Sequence, residues 1–363
     1  MRVGIIGGGQ LARMMALAGY PLGLDFDLLE PTADACGAAV VRHLAGDYDD
    51  ADKLAELARD SDVVTYEFEN VPVAGLTSIS GQVPIFPPID ALSTAQDRLK
   101  EKRLFSALEI PTPVFIPVDS RSELEAAVKH CGLPAVVKTR RFGYDGKGQY
   151  VIRTEADIAE AWQGLEGQAL IVEQFVAFQR ELSIIAVRST NGEEAFYPLS
   201  ENTHREGILR VSVPRPQHPM TKLATDYARR LVEDLDYVGV LALELFEKDG
   251  ELVANEFAPR VHNSGHWTIE GAQTSQFENH LRAILGLPLG STELNDHAAM
   301  VNFIGDAPEL PTLLEIPGVH AHIYGKAPRP GRKVGHATIR MPTEKGRNSS
   351  LTSLCELAGE TPP

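Results

Sequence analysis

Residues 135–149 read Ala-Val-Val-Lys-Thr-Arg-Arg-Phe-Gly-Tyr-Asp-Gly-Lys-Gly-Gln. The apolar run Ala135 to Val137 predicts a buried strand that ends on Lys138. A loop holding Gly143, Gly146 and Gly148 follows. A lysine at a strand end beside a glycine-rich loop suits nucleotide phosphates, because the loop can close, donate backbone N–H groups and exclude water. The stretch is not a Walker A sequence, and no G-x-x-x-x-G-K-[ST] occurs in the chain. The competing reading is a solvated basic hairpin. Three glycines with Tyr144 and Asp145 in so short a loop favour the phosphate reading.

On the C-terminal side, Ile171-Val172-Glu173-Gln174-Phe175-Val176 reads as a strand running into a hinge, with Glu181 shortly after. Backbone at such a hinge can read an adenine edge, and a nearby carboxylate can hold ribose hydroxyls. Taken alone, both glutamates also read as surface charges. Leu243-Glu244-Leu245 and Asn255-Glu256-Phe257 place two glutamates inside apolar strand patterns that a hairpin would bring together. Unpaired buried carboxylates are costly, so the pair calls for a cation between them. Mg²⁺ held by carboxylates and substrate phosphates fits; a structural salt bridge is the alternative. Next, Ala258-Pro259-Arg260-Val261-His262-Asn263-Ser264-Gly265-His266-Trp267 gathers Arg, two His, Asn and Ser without zinc spacing. Beside a cation site this loop reads as an anion-handling cluster.

On the N-terminal side, apolar runs at 2–6, 24–30, 63–66 and 83–86 alternate with helical patterns, which implies a parallel sheet with crossover helices ending near Ala95. Gly7-Gly8-Gly9-Gln10-Leu11-Ala12 fits G-x-G-x-x-G/A, with Glu30 where a ribose-binding acid would sit. The motif supports a dinucleotide site, and equally a tight turn whose helix N-terminus cradles any phosphate. The residues alone do not choose. Asp97 to Glu109 predicts a charged amphipathic helix stopped by Pro111 and Pro113. Around the loop, helices at 121–129 and 155–163 and strands at 135–138, 149–153 and 169–174 form a compact α/β segment. From 180 onward, runs at 181–188, 194–200, 207–213, 238–247 and 251–257 predict a largely antiparallel sheet with a helix near 219–234. The last dozen residues read as a short helix or tail.

The composition narrows the function classes. With 43% hydrophobic and 23% charged residues the chain reads as a soluble globular protein. A net charge of −16 repels nucleic acid and anionic membranes, so any phosphate site must concentrate Lys and Arg locally. Cys36, Cys131 and Cys355 are scattered without a C-x-x-C pair, which fits a reducing compartment. Neither a signal peptide nor an apolar run of membrane-spanning length is read, so the expectation is a cytoplasmic protein.

At this point the sequence resembles the ATP-grasp superfamily and, within it, the N5-carboxyaminoimidazole ribonucleotide synthetases (the PurK family). The resemblance is carried by Gly-Gly-Gly-Gln-Leu at 7–11, Phe-Gly-Tyr-Asp-Gly-Lys-Gly-Gln at 142–149 and Asn-Glu-Phe-Ala-Pro-Arg-Val-His-Asn-Ser-Gly-His-Trp-Thr at 255–268. Ser-Gln-Phe-Glu at 275–278 and Pro-Gly-Arg-Lys-Val-Gly-His at 330–336 extend it. It implies a mixed α/β and α+β chain of ATP-grasp architecture with an N-terminal Rossmann-like (pre-ATP-grasp) domain that holds no nicotinamide. The domains are expected at 1–95, at 96–178 for a linker helix with the central lid, and at 179–363 for the catalytic domain. The implied reaction is ATP with bicarbonate giving carboxyphosphate and ADP. The exocyclic amine of aminoimidazole ribonucleotide then takes the carboxyl group. A homodimer is also implied.

Matching positions assign ATP contacts to Arg98, Lys138, Gly143, Tyr144, Asp145, Gly146, Lys147, Gly148, Gln149, Glu173, Val176, Glu181, His204, Asn255 and Glu256. Glu244 and Glu256 would hold Mg²⁺, or Mn²⁺ in its place. Tyr144, Asp145, Lys147, Arg260, His262 and Lys333 would handle bicarbonate and the ribonucleotide, with Gln10, Lys333 and Arg340 binding that substrate. Some members carry Arg where this chain has Lys147, a point charge without a bidentate fork. Arg260, whose planar fork matches a carboxylate-like anion, is expected to hold bicarbonate with help from His262, which shares its face if the segment stays extended. Otherwise it pairs with Glu256 and only orders the loop. The rival readings are a formate-dependent glycinamide ribonucleotide transformylase on the same fold, an NAD-linked oxidoreductase resting on residues 7–12 and Glu30, and a nucleotide-sensing module without activity. The last conflicts with the joint presence of Lys138, Glu244 and Glu256.

Overall fold

Strands β1 (Arg2–Ile6), β2 (Asp25–Glu30), β3 (Arg42–Ala45) and β4 (Val63–Tyr66) form a parallel sheet in the order β3-β2-β1-β4. The computed structural model describes residues 1–143 and 148–362. Helices α1 (Gln10–Gly19) and α2 (Ala51–Asp60) are crossovers of this sheet. β1 is apolar along its length because helices cover both faces of its sheet. The third strand expected at 63–66 is in fact the fourth, since Arg42–Ala45 precedes it. That edge strand buries only Leu44, so it shows no apolar pattern. Conversely, the run at 83–86 forms no strand of its own. Ile85 makes an isolated bridge to Val64, and the flanking Pro84 and Pro87 lack the N–H a ladder needs.

Helices α3 (Val73–Ile79) and α4 (Ile89–Ala95) lead to the linker helix α5 (Arg98–Ala107). Asp97 caps α5 by accepting the Leu99 N–H at 3.0 Å. It is also clasped by Arg140, from Nε at 3.1 Å and Nη2 at 2.6 Å. Burial works to raise the Asp97 carboxyl, but Arg140 and the helix amides outweigh it and hold it below the usual range. A depressed folded value gives stability that is complete above the unfolded carboxylate range, near about 3.9, and lost as pH falls through the folded value. Asp97→Ala is therefore expected to cost about 1–2 kcal/mol in urea unfolding at neutral pH. The deficit relative to the unaltered chain should shrink in the acid range below the unfolded value. A deficit independent of pH would show that the cap geometry alone matters.

The second sheet is antiparallel, in the order β5-β8-β6-β7: β5 (Phe115–Val118), β6 (Ala135–Thr139), β7 (Gln149–Ile152) and β8 (Leu170–Gln174). Helices α6 (Arg121–Cys131) and α7 (Asp157–Leu165) pack on it over a separate core that includes Leu124, Val137, Ile158 and Val172.

The third sheet follows the path β14-β13-β9-β11-β12-β15-β17-β16, with β10 added to β9. Its strands are β9 (Arg180–Arg188), β10 (Glu194–Phe196), β11 (Ser200–Arg205), β12 (Ile208–Pro214), β13 (Gly239–Lys248), β14 (Glu251–Ala258), β15 (His297–Ile304), β16 (Val319–Ile323) and β17 (Lys333–Met341). The run expected at 194–200 splits at Tyr197-Pro198-Leu199 into β10 and the start of β11. Helices α8 (Thr221–Asp234), α9 (Thr268–Gly271), α10 (Gln276–Ile284), α11 (Leu310–Leu314) and α12 (Glu344–Leu357) complete the chain. The short helix or tail expected for the last dozen residues begins as the end of this last helix, which starts earlier, at Glu344. β15, β16 and β17 were not expected. β15 is almost wholly buried and rich in Ala and Met, a short apolar run that periodicity alone cannot assign to strand or helix. β12 and β15 join through only two register pairs, Val211 with Val301 and Ser212 with Met300.

Candidate active site

The three sheets face a cleft of about 780 Å³. β6 delivers Lys138, whose Nζ lies 2.8 Å from Glu173 Oε2 on the neighbouring β8. The second oxygen, Glu173 Oε1, is buried without a partner. Burial works to raise the Glu173 carboxyl, yet Lys102 and Lys138 overcome it and hold it down at about 2. Gly143 and Gln149 line the cleft on either side of the loop. Gly148 has φ +70, and a Cβ there would meet Thr139 Oγ1 at 2.6 Å, so this position requires glycine. Tyr144, Asp145, Gly146 and Lys147 lie outside the described residues. Phe175 and Val176, at the end of the β8 hinge, line the cleft, and Phe178 stacks on Phe246 with centroids 4.6 Å apart at 4°.

The expected carboxylate pair is present. Glu244 on β13 is in register with Glu256 on β14, and both line the cleft. Neither is left alone: Arg98 Nη1 reaches Glu256 Oε2 at 2.7 Å, and His262 Nε2 reaches Glu244 Oε1 at 3.1 Å. Burial would raise the Glu244 carboxyl, but the His262 hydrogen bond and the charges of His204 and Arg260 outweigh it and hold it at about 2. Glu181 and His204 form a pair at 2.6 Å. Burial opposes the His204 charge, and Glu181 still raises the imidazole above its usual value. Asn255 lines the same wall.

Arg260 and His262 enter the cleft together, as their spacing required. The partner of Arg260 is not Glu256. Its Nη2 pairs with Glu69, Nη1 donates to Val261 O at 2.9 Å, and Nε is buried with no partner among the described residues. Lys333 and Gln10 also line the cleft, and Gln10 accepts from Lys326. Arg340 is a correction. It sits on β17 seven residues beyond Lys333, half exposed and 3.2 Å from Asp296, outside the cleft. Seven strand residues cover about 23 Å, too far for one substrate phosphate to bridge both.

The glycine turn settles one alternative. Gly8 N–H donates to Glu30 Oε2 at 2.8 Å, and Tyr48 O–H donates to the same oxygen at 2.6 Å. Glu67 takes the Gly9 N–H through Oε1 and the Ala12 N–H through Oε2. The amides that would cradle a pyrophosphate thus hold internal carboxylates, and Glu30 is occupied rather than facing a ribose.

Sequence reasoning missed Glu67, Glu69, Glu101, Lys102 and Lys326. Lys102 is fully buried; its Nζ donates to Asn255 O at 2.5 Å and lies 3.6 Å from Glu173. Glu101 accepts the Phe257 N–H at 2.7 Å, and burial pushes its carboxyl up to about 8. A signal existed: Arg98, Glu101, Lys102 and Phe105 stand at i, i+3, i+4 and i+7, the stripe that packs inward. Reading 97–109 only as a charged amphipathic helix did not single out which charges face inward.

A glycine-rich lid beside a lysine strand, a carboxylate hairpin and a preceding parallel α/β unit define an ATP-grasp ligase. Family models agree: residues 1–96 match the ribonucleotide synthetase preATP-grasp domain, 103–277 the ATP-grasp domain and 298–348 the phosphoribosylaminoimidazole carboxylase C-terminal domain. The N5-carboxyaminoimidazole ribonucleotide synthase of Pseudomonas aeruginosa is 54% identical over 340 residues, 94% of each chain. The crystal structure of the synthetase from Thermus thermophilus is 53% identical, covers 99% of both chains and superposes with a TM-score of 0.95. The Aspergillus clavatus synthase in complex with ADP and 5-aminoimidazole ribonucleotide is 30% identical with a TM-score of 0.92, covering 99% of this chain and 98% of that one. The chain belongs to the N5-carboxyaminoimidazole ribonucleotide synthase family.

Proposed function

We propose that the chain uses ATP and bicarbonate to carboxylate 5-aminoimidazole ribonucleotide on its exocyclic nitrogen, a step of purine biosynthesis, through the cleft between its three sheets. The observation that carries this reading is the convergence of Lys138, the Glu244–Glu256 hairpin and the Arg260–His262 loop on that one cleft. A bicarbonate oxygen attacks the γ-phosphorus of ATP, ADP leaves, and carboxyphosphate forms. The substrate amine then attacks the carboxyl carbon and phosphate departs.

The residues divide that work by charge. Lys138, Arg98 and His204 supply cations along the wall where the polyphosphate lies, and the Phe178–Phe246 stack with the Val176 backbone forms the adenine side. Arg260, with its unpartnered Nε, and His262 hold bicarbonate as a second anion against the γ-phosphate, where repulsion is strongest. Lys326, Lys333 and Gln10 face the ribonucleotide. Tyr144, Asp145 and Lys147, outside the described residues, keep their expected part in handling bicarbonate and the ribonucleotide. Glu244 and Glu256 fit Mg²⁺: their hard carboxylate oxygens, in register on two strands, are the groups that would hold such a cation beside the nucleotide phosphates. Among the described residues no group of three or more acidic, His or Cys side chains could hold a metal by itself. The ion, when bound, neutralises phosphate charge during transfer.

The domain division at 1–95, 96–178 and 179–363, a homodimer and a cytoplasmic location belong to this proposal. No helix among the described residues is long and apolar enough to cross a membrane. The test is ADP release from purified protein with ATP and Mg²⁺. Aminoimidazole ribonucleotide with bicarbonate should stimulate it strongly. Turnover with formate and glycinamide ribonucleotide instead would overturn the substrate assignment.

A further inference from the structure

Behind His262 lies a row of buried polar side chains that the reaction itself does not use. Ser183 on β9 stands in register with Glu244 on β13, and Asn202 on β11 stands in register with Ser212 on β12. Asn202 lies diagonal to Ser183 across β9 and β11, within side-chain reach. Ser183, Ser212 and Ser264 are completely buried. Asn202 Nδ2 donates to Ser183 Oγ at 2.9 Å, Ser183 Oγ donates to Ser264 Oγ at 2.8 Å, and Ser264 Oγ meets His262 Nδ1 at 2.9 Å. Ser212 Oγ holds the other end, 2.8 Å from Asn202 Oδ1 and 3.0 Å from Ser264 O.

Each hydroxyl has one proton to give, so the series has a direction. Starting from the Asn202 amide, which fills Ser183 as acceptor, the Ser183 proton goes to Ser264 and the Ser264 proton goes to Nδ1. The far end fixes the same direction independently. The backbone N–H of Ser264 points at His262 Nδ1 from 3.3 Å, and a backbone N–H has no choice but to donate. Nδ1 therefore accepts, and the ring proton sits on Nε2, 3.1 Å from Glu244 Oε1. Gln276 fixes the orientation of the segment, accepting the His262 N–H at 2.9 Å and donating to its carbonyl at 2.6 Å.

We infer that Asn202, Ser183 and Ser264 form a directional hydrogen-bond relay that fixes His262 as the Nε2–H tautomer, making them positioning residues for the reaction. The opposite tautomer would turn a lone pair toward Glu244 and toward any oxyanion beside it. The relay ensures that the cleft meets an N–H donor. Its value to turnover rests on the reading of His262 as a hydrogen-bond donor to bicarbonate; the tautomer itself does not.

The test uses full-length protein labelled with ¹⁵N-histidine, with His262→Gln identifying the resonance. Long-range ¹H–¹⁵N correlation at about pH 8.5, above the ordinary imidazole range, reads which nitrogen carries the proton. The unaltered chain should show the Nε2–H form alone. Ser183→Ala should yield a mixture. Asn202→Asp, which replaces the donor by an acceptor at equal size, should shift the ring toward Nδ1–H. Each variant should lower kcat about ten-fold, the scale on which outer partners of an active-site imidazole act, with KM for ATP unchanged. A mixed or Nδ1–H ring in the unaltered chain overturns the relay without any variant, as does a tautomer that ignores both substitutions. A shifted tautomer with unchanged turnover leaves the relay standing and overturns the part given to His262 in catalysis.

Discussion

Glu244→Gln is expected to lower kcat by about 10³-fold, with Glu256→Gln close behind, while both proteins keep their fold. The swap preserves volume and removes one full negative charge from the centre of the cleft. The His262 hydrogen bond and the neighbouring charges hold the Glu244 carboxyl below the usual carboxylate range against the cost of burial, so the swap removes a charge that its surroundings favour. Glu256 faces Glu244 in register and pairs with Arg98, so its replacement also frees a guanidinium in the cleft. Mg²⁺ titration of ATP turnover distinguishes the two roles. A cation site predicts a large rise in the Mg²⁺ needed for half-maximal rate. If Mg²⁺ dependence barely moved, the two carboxylates would serve only as the hydrogen-bond partner of His262 and the ion-pair partner of Arg98.

Arg260→Lys should cost about 10²-fold in kcat, with a weakened response to bicarbonate and almost unchanged ATP affinity. Lysine keeps the charge and can still pair with Glu69, but it has no planar fork and nothing in place of Nε. That nitrogen is buried and has no partner among the described residues, so it is the donor that the proposed bicarbonate contact would use. Initial rates at varied bicarbonate and saturating ATP measure the effect. Weaker ATP and Mg²⁺ binding with an intact bicarbonate response would reduce Arg260 to a tie between the loop and Glu69.

The chemistry was legible where it is local in sequence. Lys138 and its glycines, and the run from Asn255 to Trp267, carry their meaning in one short window. The hairpin pairing of Glu244 with Glu256 followed from strand alternation. What stayed hidden depends on distant segments meeting. Glu69 reaches Arg260 and Lys326 reaches Gln10 only after three sheets assemble, and no spacing rule links such positions. The acidic filling of the glycine turn is the same kind of fact: residues 7–12 read as an anion cradle, and the anion proved to be Glu67. Arg340 erred in the opposite direction, because a motif that continues along a strand leaves the cleft after a few residues.

The two-pair junction between β12 and β15 bears on how such an enzyme could be assembled over time. The ATP-grasp match ends at residue 277 and the C-terminal match begins at 298, so the junction falls between two inherited modules. Lys326 and Lys333, which line the cleft and are proposed to face the ribonucleotide, come from beyond it. Backbone pairing across that junction is limited to two rungs, yet Val211 and Val213 share one buried core with Ala299, Val301 and Phe303. Any exchange of the C-terminal piece would therefore have to preserve that packed face, because side-chain packing rather than the ladder joins the two modules.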